Sequence, residues 1–88
     1  MYAMVSADFP DVTAEQRKLI YECLEKKNWT KFKNVGRDIS TCWFGFFKSE
    51  IDNVKIIEIT EENFKSCSKP YCIPKLAIHI GVSKPIEI

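Results

Sequence analysis

The sequence predicts a two-layer α+β domain of the ferredoxin-like plan, and three observations predict it. Apolar, β-branched runs alternate with helix-forming stretches in the order strand, helix, strand, strand, helix, strand, which is the split βαβ arrangement. A capping box, Thr13-Ala14-Glu15-Gln16, opens the first helix. The 88 residues leave room for a single domain, with no repeat, linker or low-complexity segment inside it.

Taken in order, Tyr2 to Asp8 is apolar and bounded by Phe9-Pro10-Asp11, which suits a buried strand. Behind the capping box, Leu19, Ile20, Cys23 and Leu24 recur at helical spacing, so a helix is expected over roughly 14–27 with Asn28 as its stop. Trp29 to Val35, ending at Gly36, reads as a second strand. Ile39 to Phe47 is the strongest strand, with Ile39, Trp43 and Phe47 on one face and Cys42, Phe44 and Phe46 on the other. One face should pack on helix; the other needs a second cover, from a ligand, a partner subunit or a further helix. Val54 to Ile59 reads as a further stretch of sheet. Thr60 to Phe64 then starts a second helix, expected to be short because Pro70 ends it and Pro74 blocks resumption. Lys75 to Val82 is the last strand.

Composition narrows the function classes. Lys+Arg 13 against Asp+Glu 12 gives a net charge of +1, which excludes a generally basic nucleic-acid coat but not a local patch. Lys26, Lys27, Lys31, Lys33 and Arg37 crowd the helix and second strand, a side that could track phosphates. Glu50, Asp52, Glu58, Glu61 and Glu62 crowd the second half, where they could engage a basic protein surface. The densest apolar run, 42–47, is far below the roughly 18 residues of a membrane span. No basic-then-apolar leader opens the chain, so a cytoplasmic protein with four free cysteine thiols is expected. Zinc is not expected, because the Cys67 to Cys72 spacing is wider than the commonest zinc knuckle and Cys23 and Cys42 fall on core-facing positions. His79, in an apolar strand, reads as a hydrogen-bonded structural histidine.

Asp8 ends the first strand directly before Phe9-Pro10, where a carboxylate either caps a turn or holds a divalent cation. The stretch Met4-Val5-Ser6-Ala7-Asp8-Phe9-Pro10-Asp11, followed by a capped helix, resembles the opening of the small CRISPR-associated ferredoxin-like endoribonucleases. VapD-type toxins and GhoS-type antitoxins open similarly. Ser40-Thr41-Cys42-Trp43-Phe44 is similar to the Ser/Thr-rich, aromatic start of the endoribonucleases' third strand. The resemblance covers roughly the first half of the chain. It implies a homodimer paired through the sheet and its C-terminal segment, with Trp43, Phe44, Phe46, Ile86 and Ile88 at the interface. It also implies Asp8 as the catalytic residue, holding Mg2+ or Mn2+ for RNA cleavage.

Trp43-Phe44-Gly45-Phe46-Phe47 on the third strand also resembles part of the RRM aromatic signature, in which exposed rings stack on bases, and Tyr2 could supply another ring. It departs from that signature where Trp43 replaces a small Gly and Cys42 replaces a basic residue. Two expectations follow. One is a nucleic-acid-binding homodimer with metal-dependent RNA cleavage at Asp8. The other is a non-enzymatic interaction protein, such as an antitoxin or a phage-encoded inhibitor of a host defence system.

Overall fold

Period-two burial along the first strand sets the layer arrangement. In a computed structural model that describes residues 1–36 and 40–87, β1 (Tyr2–Asp8) buries Ala3, Val5 and Ala7 and turns Tyr2, Met4, Ser6 and Asp8 the other way. The remaining elements are α1 (Ala14–Lys26), β2 (Thr30–Gly36), β3 (Ser40–Phe46), α2 (Asn53–Ser68) and β4 (Lys75–Gly81). The strand order is β2-β3-β1-β4 and every pairing is antiparallel, so the two central strands are β1 and β3. This is the α+β, ferredoxin-like sandwich expected from the element order, with both helices on one side of the sheet.

Helix α1 is bounded by chemistry readable in the sequence. The Thr13 hydroxyl accepts from the Gln16 N–H, and the Gln16 side chain accepts from the Thr13 N–H, which completes the capping box. At the other end Asn28 takes a φ of 70°, its N–H donates to the Glu25 carbonyl, and the Trp29 N–H donates to the Leu24 carbonyl. That pair of bonds is a Schellman stop, with Asn tolerated at the left-handed position because its side chain is short and polar.

Helix α2 departs from expectation. Val54 to Ile59 is helix, not strand, and α2 runs 16 residues against 13 for α1, so the second helix is not short. Asp52 starts it as N-cap, its carboxylate accepting from the Lys55 N–H at 2.8 Å. Ile56, Thr60, Phe64 and Cys67 are buried and fall three or four residues apart on one face. Burial of that stripe outweighs the β-propensity of the Val and Ile residues around it.

The core lies between the sheet and these helices. Trp43 stands at its centre, edge-on to Tyr21 at 5.3 Å and to Phe64 at 6.2 Å, while Trp29 meets Phe64 at 5.0 Å. Position 45 in this layer is glycine because a Cβ there would come to 3.0 Å from the Trp29 ring. Cys23 of α1 and Cys67 of α2 are joined as a disulfide, which corrects the expectation of four free thiols. Both cysteines sit on the helices' facing sides, and packing brings their Cα atoms to 5.6 Å, inside the span a disulfide bridges. Cys42 and Cys72 remain free.

Candidate functional site on the open sheet face

The sheet face without helices is built by the even positions of β1 and their register partners. Tyr2 lies opposite Phe46, and Met4 lies opposite Phe44 on β3 and His79 on β4. The Tyr2 and Phe46 rings meet edge to face at 5.4 Å, and Phe46 is 64% exposed. Phe44 lies tilted on Phe32 of β2 at 5.4 Å, and the Lys84 ammonium stands 5.5 Å from the Phe44 ring centre. After β4, residues 82–87 turn back across this face toward β2. There the Lys33 N–H donates to the Glu87 carboxylate at 3.2 Å. Two shallow hollows flank that crossing, of about 370 Å³ over Tyr2, Met4 and His79 and about 380 Å³ over Thr30, Phe32 and Phe44.

The sequence-derived site residues divide between this face and elsewhere. Phe44 and Phe46 are on it, and Ile86, 82% exposed, rides on the returning tail. Trp43 is fully buried on the opposite face, its indole N–H donating to the Thr41 hydroxyl at 2.7 Å, so it cannot meet a partner. Alternation along β3 is the reason: Trp43 shares parity with Thr41 and Gly45, the positions under the helices. Ile88 and Arg37 lie outside the described residues.

The lysines differ in their surroundings. Lys26 and Lys27 are exposed at the end of α1, and Lys33 is exposed on β2. Lys31 is half-buried, with its ammonium 5.7 Å from the Tyr21 ring centre and donating to the Phe32 carbonyl. Its charge is engaged at the edge of the helical layer rather than offered to a ligand.

Asp8 is half-buried at the end of β1, opposite Ser40 on β3 and Lys75 on β4. Among the described residues no group of three His, Cys, Asp or Glu could hold a metal ion.

Three features of the face escaped sequence reasoning. His79 is exposed on the open face rather than hydrogen-bonded within a strand interior. Lys84 and Glu87 reach β3 and β2 although they follow the last strand. The parity of His79 with Ala77 was a usable signal, because it opposes the half-buried Leu76, Ile78 and Ile80. Nothing in Lys84-Pro85-Ile86-Glu87 announces a return across the sheet.

A larger hollow of about 720 Å³ runs along α2, lined by Glu58, Glu61, Glu62 and Lys65 and closed by Tyr71, Cys72 and Ile73. Burial, and then the negative charge of Asp11, push the Cys72 thiol above its ordinary range, so at neutral pH it is a poor nucleophile. No helix among the described residues is long and apolar enough to cross a membrane. Compared with protein-family models, curated proteins and solved structures, the chain matches none.

Proposed function

We propose that the chain binds single-stranded RNA on its open sheet face. The observation that carries this reading is the placement of Tyr2, Phe44 and Phe46 together on the two central strands, on the face no helix covers. Exposed Phe46 and half-buried Tyr2 and Phe44 offer rings to unstacked bases, with Lys84 and His79 beside them. This moves the RNA contact from the basic helix side to the sheet. Cleavage is no part of the reading, because it draws no support from the described residues, among which no group of three His, Cys, Asp or Glu could hold a metal ion. Pairing of two copies, if it uses this face, rests on Phe44, Phe46 and Ile86 without Trp43.

The test is titration of a fluorescent single-stranded RNA with wild-type protein, Phe46→Ala and Asp8→Asn. Loss of one stacking ring costs about 1–3 kcal/mol, so Phe46→Ala should weaken binding roughly tenfold or more. Asp8→Asn should bind like wild type, and neither should cleave in magnesium or manganese. RNA affinity that ignores Phe46 would defeat the proposal.

One observation favours a second reading, an interaction protein. A hollow of about 720 Å³ along α2 sets Glu58, Glu61 and Glu62 beside Lys65 and Lys69, with Ile73 81% exposed at its rim. Such a surface suits a basic segment of a protein partner. A Glu61→Lys, Glu62→Lys double variant should abolish that contact while leaving RNA binding intact. A cytoplasmic location fits either reading on one condition: cytosolic reductants would hold Cys23 and Cys67 as thiols, and the core must then keep the fold alone.

A further inference from the structure

Residues 82–87 cross the ring platform without belonging to the sheet. They leave β4 after Gly81, pass over Tyr2 and Met4, and end against Thr30, Phe32 and Lys33 of β2. Val82 is 79% and Ile86 82% exposed, so the apolar contact of the segment is confined to half-buried Pro85 and the hollow it shares with Phe32 and Phe44. The contacts that tie the crossing to the sheet include the Lys84 ammonium over the Phe44 ring and the Lys33 N–H donating to Glu87 across a separation of 54 residues. A segment with few buried contacts and solvent-exposed hydrogen bonds opens at low cost.

We infer that this segment is a displaceable strap, which competes with RNA for the open sheet face; the inference rests on the RNA-binding reading above. Both anchors are interactions that a nucleotide can replace. Lys84 occupies the π-face of Phe44, where a base would stack. The Glu87 carboxylate occupies a backbone donor that a phosphate oxygen could accept from instead. When the strap lifts, Phe44 is uncovered and Lys84 is released to follow the RNA backbone. Apparent affinity is therefore the affinity of the uncovered face multiplied by the fraction of molecules with the strap lifted.

The experiment compares wild type, Glu87→Gln and Glu87→Ala at constant salt, using the same fluorescent RNA and the ring proton resonances of Phe44. The Gln amide oxygen still accepts from the Lys33 N–H, so Glu87→Gln removes the charge and keeps this hydrogen bond. Glu87→Ala removes both. Glu87→Ala should move the Phe44 resonances in the absence of RNA and bind RNA about three- to tenfold more tightly than Glu87→Gln. Equal tightening by both variants would reduce the effect to charge alone and overturn the strap. Phe44 resonances unmoved by Glu87→Ala, with RNA binding intact, would also overturn the strap and leave the platform standing. Absence of RNA binding in all three proteins would overturn the platform and the strap together.

Discussion

Strand β3 puts neighbouring aromatic residues to opposite uses. Trp43 is sealed, edge-on to Tyr21 and Phe64, with its indole N–H satisfied by Thr41. Three residues on, Phe46 is 64% exposed and touches Tyr2. Residue type does not separate them, because both are large aromatics in one continuous apolar run. Parity does: a strand sends successive side chains to opposite faces, and in this fold helices cover only one of those faces. The covered face is filled by rings and aliphatics in contact on all sides. The open face holds its rings in pairs, with a loosely anchored tail across them. Apolar surface left open in this way is what binding surfaces are made of.

The comparison breaks most sharply at Trp43. Trp43→Ala removes a fully buried ring and strands the Thr41 hydroxyl that its indole N–H met. Large aromatic deletions in a core cost about 3–5 kcal/mol, against a total of roughly 5–15 for a domain. Chemical denaturation should show a protein at the edge of unfolding. A loss of about 1 kcal/mol or less, within the range of surface substitutions, would mean that the covered face is not the core.

A smaller effect is expected from the bridge between the helices. The Cys23–Cys67 disulfide closes a separation of 44 residues, and removing such a link typically costs about 2–4 kcal/mol. Cys67→Ser paired with Cys23→Ser should lower the denaturation midpoint by a corresponding amount while the open face keeps its RNA affinity. A midpoint that does not respond to reduction of the wild-type protein would show that the bridge contributes nothing beyond the packing that brings the helices together.

The covered layer was legible in the sequence and the open layer was half legible. Helix α1 could be bounded at both ends, because Thr13, Gln16 and Asn28 act through local backbone bonds. The strands β1, β3 and β4 followed from short apolar, β-branched and aromatic runs bounded by Pro and Gly. Helix α2 was misread at its start because Val54, Ile56, Ile57 and Ile59 are β-branched, and the evidence against a strand was tertiary burial of Ile56, Thr60 and Phe64. The cysteine bridge was invisible for the same reason: spacing in the chain says nothing of two helices packed side by side. On the open face, the alternation of β3 did separate Phe44 and Phe46 from Trp43. Tail contacts between Lys84 and Phe44, and between Glu87 and Lys33, join distant parts of the chain and leave no local pattern to read.

The smallest effect on stability is expected at Phe46, and it sharpens the comparison most. Its ring meets Tyr2 at 5.4 Å but is mostly in water in the folded state, so little apolar surface returns to solvent when it is removed. An exposed edge-to-face pair adds at most about 0.5–1.5 kcal/mol, and surface substitutions usually fall within about 0.5 of zero. Phe46→Ala should therefore shift the denaturation midpoint barely at all, with an unchanged denaturant slope. The same variant is expected to lose most of its RNA affinity. A residue whose removal leaves folding intact and weakens binding has its role outside the core. If Phe46→Ala instead destabilised the fold as much as Trp43→Ala, the two faces of β3 would be energetically alike, and the open face would have to be a second, covered core.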